Sequence, residues 1–458
     1  MYSTEEELIF KANDAKGKTF SEIDIHNRLL KNTKGQFGHI IEESLFGYDI
    51  NSNAKPDFEE LDIELKVTPI KINKNKTFSS KERLVLNMIN YMNEPYVDFL
   101  NSSFWYKNKK LLLMFYLWLP DTQRKDFRII DSFIYTYPEE DLEIIKNDWK
   151  IITNKIKAGK AHELSEGDTF YLGACTKGAN SKSLREQPFS KTLAKKRAYS
   201  LKQSYMTTLV RQRINGNEMT KFTSSDKLKK NTIEELIELN FSSYYGKTLS
   251  NLSKELNIPI NKNSKSYIPQ FISAMLGIRG TKLTQIEEFA KADIKFKSVR
   301  IEANGIPKES MSFKNIDFNK WQDEEQWEKS TLYTSFEKSK LLFIVLEYKE
   351  SKEANPDRQL YFKKVKLWNM PLEILNNELQ NIWIETKKIL DDGIDIQYVK
   401  RGCLVVEKNN LPKSNFNGVA HIRPKARNAQ DKYLLKDGQK ITKQCFWLNS
   451  KYVAEILK

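Results

Sequence analysis

The sequence predicts an α/β protein built from two tandem copies of one fold. Three observations lead there. At 458 residues the chain is longer than one hydrophobic core usually supports, so two domains are expected. Apolar runs of strand length alternate with longer segments punctuated by Pro and Gly as helices are. Finally, these elements recur in the same order in both halves.

The first echo pairs PDFEELDIELKVTPIKI (Pro56–Ile72) with EEFAKADIKFKSVRIEA (Glu287–Ala303). Aligned without gaps, Asp62 meets Asp293, Glu64 falls on Lys295, Lys66 on Lys297 and Asp57 on Glu288. Upstream, GQFGHIIEESLFG (Gly35–Gly47) resembles YIPQFISAMLG (Tyr267–Gly277), which carries no carboxylate. Next, KKLLLMFYLW (Lys109–Trp118) matches SKLLFIVLEY (Ser339–Tyr348), and both read as fully buried strands. The helical segments Tyr137–Lys160 and Met370–Gly393 each have Pro near the start, Trp in the middle and Gly ten residues past the Trp. Last, Tyr171–Ser183 and Val419–Asp431 share a Lys-x-x-Asn frame, at Lys177/Asn180 and Lys425/Asn428. The copies are expected at 1–220 and 235–458. The polar, charge-rich stretch Asn215–Asn231 places a linker at 221–234.

Composition narrows the function. A net charge of +15 favours a polyanionic partner, nucleic acid first. No apolar run approaches the roughly 20 residues of a spanning helix. The acidic start MYSTEEELIFKAND lacks the basic and apolar regions of a signal peptide. Cys175, Cys403 and Cys445 form neither a close pair nor a zinc spacing, and His26, His39, His162 and His421 form no metal motif. A soluble, cytoplasmic, disulfide-free protein is expected.

The chemistry concentrates in Asp57, Glu64 and Lys66. In a strand, Glu64 and Lys66 project to one face while Ile63, Leu65 and Val67 face a core. Asp57 precedes the strand and can bend back toward Glu64. Two carboxylates suit Mg²⁺, and a neighbouring lysine can orient a water and offset charge on a scissile phosphate. On the motif alone, a surface strand with a charged outer face is the commoner reading. In the second copy Lys295 stands where Glu64 would be and repels Mg²⁺. That copy keeps a basic loop, HIRPKARNA, with Arg423, Lys425 and Asn428. Lost metal chemistry beside a retained basic loop points to a binding module. In the first copy, TKGANSK (Thr176–Lys182) offers Lys177, Gly178, Asn180 and Lys182, either for reading bases or for touching only phosphates. Lys195, Lys196, Arg197 and Lys202 form a second basic cluster, read as a phosphate contact. Residues Ala198–Lys202 fit either a helix start or a strand leading into a helix.

Together with SSKERLVLN (Ser79–Asn87), KAHELSEG (Lys160–Gly167), CTKGAN (Cys175–Asn180) and SYMT (Ser204–Thr207), these segments resemble the Sau3A-type restriction endonucleases, whose family includes the mismatch-repair nicking endonuclease. The resemblance covers essentially the whole chain. It implies a restriction-endonuclease-like fold, a mixed sheet flanked by helices. It also implies Mg²⁺-dependent cleavage of double-stranded DNA at GATC, before the G, leaving four-base 5′ overhangs. Asp57, Glu64 and Lys66 take the family's catalytic positions, with Asp57 and Glu64 on the metal. Glu42 takes the helix glutamate's place, Glu43 being the other register. Lys107 takes a second lysine's place, with Lys109 and Lys110 as alternatives and Glu337 as its repeat partner. The C-terminal copy is expected to bind a second GATC as an allosteric effector, and the chain to be a monomer in free solution that dimerises on DNA. A strand-nicking repair enzyme and a non-catalytic DNA-binding protein are the alternatives.

Overall fold

The computed structural model describes residues 2–31, 35–50, 54–178, 183–260, 267–402 and 404–458. They fall into two compact units, Met1–Leu236 with Thr281–Asp293, and Ile237–Gly280 with Ile294–Lys458. Residues 221–234 include a short helix, Ser225–Leu228, beside which Lys229 pairs with Glu139 at 2.5 Å.

The first unit opens with helix α1 (Glu5–Asn13), capped by the Thr4 side chain, and helix α2 (Gln36–Ile40), which runs on into a π-helical turn over Ile41–Leu45. Strands β1 (Glu64–Ile72), β2 (Phe78–Ser80) and β3 (Leu84–Met88) follow, then α3 (Ser103–Asn108), β4 (Lys110–Leu117) and β5 (Arg128–Thr136). The mixed sheet has the order β2-β1-β4-β5: β1 and β4 run parallel with Glu64 opposite Leu111, and the outer pairs are antiparallel. Strand β4 is central, and Leu111 to Phe115 are fully buried, as its unbroken apolar run predicts.

Helix α4 (Glu139–Lys157) carries three acidic residues in its first turn and two lysines in its last, complementing the helix dipole. It begins after Pro138 and ends at Gly159, whose φ of +69° favours glycine. A Cβ there would also lie 2.7 Å from the Phe189 carbonyl oxygen. Strands β6 (Leu172–Thr176), β7 (Leu184–Gln187), β8 (Ser190–Lys195) and β9 (Arg197–Leu201) complete the unit, with helix α5 (Gln203–Asn215). Ala198–Leu201 is therefore strand, leading into α5. Strands β3-β9-β6 form an antiparallel second sheet. Helix α6 (Glu287–Ala292), distant in sequence, belongs to this unit and packs on α5.

The second unit contains β10 (Ile294–Ile301), β11 (Met311–Asn315), α7 (Thr331–Glu337), β12 (Lys340–Tyr348), β13 (Leu360–Trp368) and α8 (Gln380–Asp392). Its sheet has the order β10-β12-β13; β10 and β12 are parallel with Lys295 opposite Leu341, and β12 and β13 are antiparallel. Hairpin β14 (Ile396–Arg401) and β15 (Leu404–Asn409) follows, then β16 (Ala420–Pro424), hairpin β17 (Lys432–Leu434) and β18 (Lys440–Thr442), β19 (Gln444–Leu448) and helix α9 (Ser450–Ile456). Strands β11-β19-β16 make the antiparallel partner sheet. Each unit is thus an α/β assembly of mixed sheet and helices with its own apolar core. Among the described residues, no helix is long and apolar enough to cross a membrane.

Candidate active site

The first residues of β1 lie where three carboxylates and two lysines meet. Strand alternation works as the sequence predicts: Ile63 and Leu65 enter the core, with Val67 packed against it, and Lys66 turns to the other face. Glu64 is nevertheless only 3% exposed. The Lys66 Nζ donates to its Oε1 at 2.7 Å, and Lys107 Nζ, from the last turn of α3, lies 3.6 Å from the same oxygen. Asp57 bends back as expected. Its backbone N–H donates to Glu64 Oε2 at 3.2 Å, and its Oδ2 accepts from the Leu65 N–H at 2.9 Å.

Glu42 enters from the π-helical turn. Burial, followed by the charges of Asp57 and Glu64, pushes its carboxyl up to about 7, against the pull of Lys66 and Lys107. Burial likewise raises Glu64, opposed by the adjacent Lys66. The alternative registers face elsewhere: Glu43 accepts from Arg28 Nη2 at 2.9 Å, Lys109 pairs with Asp62 at 2.8 Å, and Lys110 pairs with Glu5.

Among the described residues, no group of three or more His, Cys, Asp or Glu is arranged to hold a metal ion. The donor chemistry of Asp57 and Glu64 still fits Mg²⁺, which takes one or two carboxylates and fills its shell with water and phosphate oxygens. Burial first, and then repulsion from Asp57 and Glu64, raise Glu42, and a bound cation would offset both.

The basic residues divide. Lys177 and Gly178 are exposed just past β6, and the Lys177 N–H donates to the Lys196 carbonyl at 2.8 Å. Asn180 and Lys182 lie outside the described residues. Lys202 corrects the sequence reading: it is 3% exposed, and its Nζ donates to the Thr169 carbonyl, so it cannot reach a phosphate from there. Arg197 is buried too, on the Ala174 carbonyl. In the second unit Arg423 and Lys425 are exposed at the end of β16, the Arg423 guanidinium 4.3 Å from the Trp447 ring centre. Asn428 is exposed, but its Oδ1 accepts from the N–H groups of Gln430 and Asp431 at 3.0 and 3.1 Å and so shapes the loop's own turn. Glu288, the repeat partner of Asp57, accepts from the Phe222 and Thr223 N–H groups at 3.2 Å.

Sequence reasoning missed the buried acids that brace the site. Asp148 accepts from the N–H groups of Phe170, Tyr171 and Leu172 at 2.8, 2.6 and 2.9 Å, fixing the start of β6 and hence the approach to Lys177. Glu94 accepts from Trp149 Nε1 at 3.1 Å and the Tyr199 hydroxyl at 3.0 Å, and Glu166 pairs with Arg83. Asp148 lies beside Trp149 on the apolar face of α4, and an acid on such a face is the signal that could have revealed it.

A family model described as "DNA mismatch repair enzyme MutH" matches residues 46–148 and 281–381. The chain is 35% identical, over an alignment 495 positions long, to the type II restriction enzyme Sau3AI of Staphylococcus aureus, covering 99% of this chain and 98% of that protein. It is 31% identical over 193 residues to the DNA mismatch repair protein MutH of Shewanella woodyi, covering 40% of this chain and 79% of that one. The Pasteurella multocida MutH is 30% identical over 190 residues, again 40% of this chain.

Proposed function

The chain belongs to the family of the type II restriction enzyme Sau3AI, and from that premise we propose that it is a Mg²⁺-dependent type II restriction endonuclease hydrolysing double-stranded DNA at GATC, before the G. The observation that carries this reading is the convergence of Asp57, Glu64, Lys66, Lys107 and Glu42 at the start of β1. Asp57 and Glu64 would hold the metal, which when bound supplies a Lewis acid and an acidified water. Lys66, anchored to Glu64, is placed to orient the attacking water and offset charge on the phosphate. Lys107 adds a second cation to the same face, and Glu42 completes the acidic wall. Lys177 and Gly178 approach the DNA on the far end of β6.

The two units are read as copies of one fold, the second catalytically degenerate. Glu64 opposite Leu111 and Lys295 opposite Leu341 occupy matching positions of the two apolar runs. Asp62 and Asp293, just before the paired strands, both take left-handed conformations, with φ of +56° and +55°. The two segments matched by the MutH model, one in each half, support the same reading. The exchange of Glu64 and Lys107 for Lys295 and Glu337 reverses both charges. The C-terminal copy then binds a second GATC as an allosteric effector through Arg423 and Lys425. A monomer in free solution would dimerise on DNA, since a twofold-symmetric target favours two catalytic centres over one that nicks twice. A nicking enzyme is disfavoured because the MutH relatives match only 40% of this chain.

Incubation with a plasmid of known sequence and Mg²⁺, followed by sequencing of the ends, tests the reading. Four-base 5′ GATC overhangs are expected. Nicks alone would favour the repair-type activity, and intact plasmid at every divalent metal would overturn the proposal.

A further inference from the structure

The second unit holds lysines where the first holds carboxylates. Lys295 and Lys297 flank Phe296 on β10, so both project from one face. They line a cavity of about 630 Å³ together with Asn315, Ser335 and Ser339. Lys295 Nζ donates to Ser339 Oγ at 2.5 Å. Lys297 Nζ donates to the Ser312 carbonyl at 2.7 Å and sits 4.3 Å from the Phe313 ring centre. From the residue just past β16, Lys425 Nζ reaches the same dipeptide, meeting Ser312 Oγ at 3.0 Å and the Phe313 carbonyl at 2.8 Å. Two ammonium groups thus converge on one short piece of β11 through neutral acceptors. Burial, then the charges of Lys425 and Lys295, hold Lys297 down at about 8. A cation pressed by burial and like charge is relieved by an anion.

We propose that Lys297 and Lys425 form a site for a DNA backbone phosphodiester, gripped directly by ammonium groups where the first unit uses a metal ion, so that the second unit binds duplex without any divalent cation. The inference rests on the reading of this unit as a DNA-binding copy. A phosphodiester is favoured over a free anion because exposed Arg423, near the end of β16, stands two residues before Lys425, giving a charged path rather than a single point.

The test is fluorescence anisotropy of the full-length protein with a labelled GATC duplex in EDTA, where cleavage is silent, and again in Ca²⁺. Wild type should bind in EDTA. Lys297→Met, which keeps an unbranched stem against Phe313, and Lys425→Gln, at an exposed position, should each weaken binding in EDTA about tenfold and lower the salt slope by about one. Lys425→Gln carries the test alone if the substitution at half-buried Lys297 impairs folding. Wild-type affinity and slope in a folded variant would overturn the lysine site while leaving DNA binding by this unit intact. Binding in Ca²⁺ but none in EDTA would overturn metal-free capture. Absence of binding in either condition would instead sink the DNA-binding reading itself. Displacement of the duplex by micromolar inorganic phosphate would reassign the site to a free anion and overturn the inference.

Discussion

Replacing Lys202 with Met separates a buried brace from a phosphate contact. Lys202 donates to the Thr169 carbonyl, and its charge acts on Asp148, whose carboxylate accepts from Phe170, Tyr171 and Leu172. Removing this buried cation leaves the Thr169 carbonyl without its donor and the nearby buried carboxylate less compensated, at a cost of about 3 kcal/mol. For a unit of this size each kcal/mol shifts Tm by about 2–4 °C, so unfolding of the first unit should come about 10 °C earlier. The deficit should depend on pH. Burial holds Asp148 up at about 6, and loss of the lysine would raise it further. A carboxyl whose folded pKa exceeds its unfolded value gives stability that is present at low pH and lost as pH rises through the folded pKa. The variant should therefore lie close to wild type near about pH 5 and show its full deficit near about pH 8. Adding Asp148→Asn should recover part of the loss at the higher pH. Differential scanning calorimetry follows the transition, and gel shifts across a salt series follow DNA contact. An unchanged Tm with a salt slope reduced by about one would refute the brace and return Lys202 to the phosphate backbone.

Three further substitutions probe the site and its support. Glu42→Gln should slow cleavage about 10–100-fold, as expected of a group that steers metal ligands, whereas Glu43→Gln, which only releases Arg28, should leave the rate near wild type; the reverse order in a plasmid assay would reject the register. Lys107→Met should cost about 100-fold in cleavage while Lys109→Met should not, and equal losses would argue against a direct role for Lys107. Gly159→Ala places a Cβ at positive φ and 2.7 Å from the Phe189 carbonyl, so the first unit should lose about 1–3 kcal/mol in denaturant unfolding; an unaltered midpoint would contradict the close approach.

What was legible in the sequence was whatever depends on local pattern. The unbroken apolar runs became β4 and β12, Pro138 and Gly159 bound α4, and the Glu-x-Lys alternation put Glu64 and Lys66 together with Asp57 beside them. Glu42 and Lys107 needed the resemblance, since nothing local distinguishes them from Glu43, Lys109 or Lys110; only the tertiary approach of the π-helical turn and α3 does. The basic cluster at Lys195–Lys202 misled because charge type does not encode burial: Arg197 and Lys202 are turned inward onto backbone carbonyls remote in sequence. The inclusion of Thr281–Asp293 in the first unit was invisible for the same reason. It depends on Lys291, paired at 2.6 Å with Glu287 one turn earlier in its own helix, also reaching Asp141 at 2.6 Å, and Asp141 lies 150 residues upstream of Lys291.

In the proposed reading, cutting takes place at one metal centre per chain, held by Asp57 and Glu64 with Lys66 beside it. The direct measurement is cleavage of a GATC-bearing plasmid in Mg²⁺ by Glu64→Ala and Lys66→Ala, alongside duplex binding by the same proteins in Ca²⁺. A rate loss of about 1000-fold or more is expected in each, with binding retained. Wild-type cleavage by Glu64→Ala would contradict it and move the active site elsewhere in the chain.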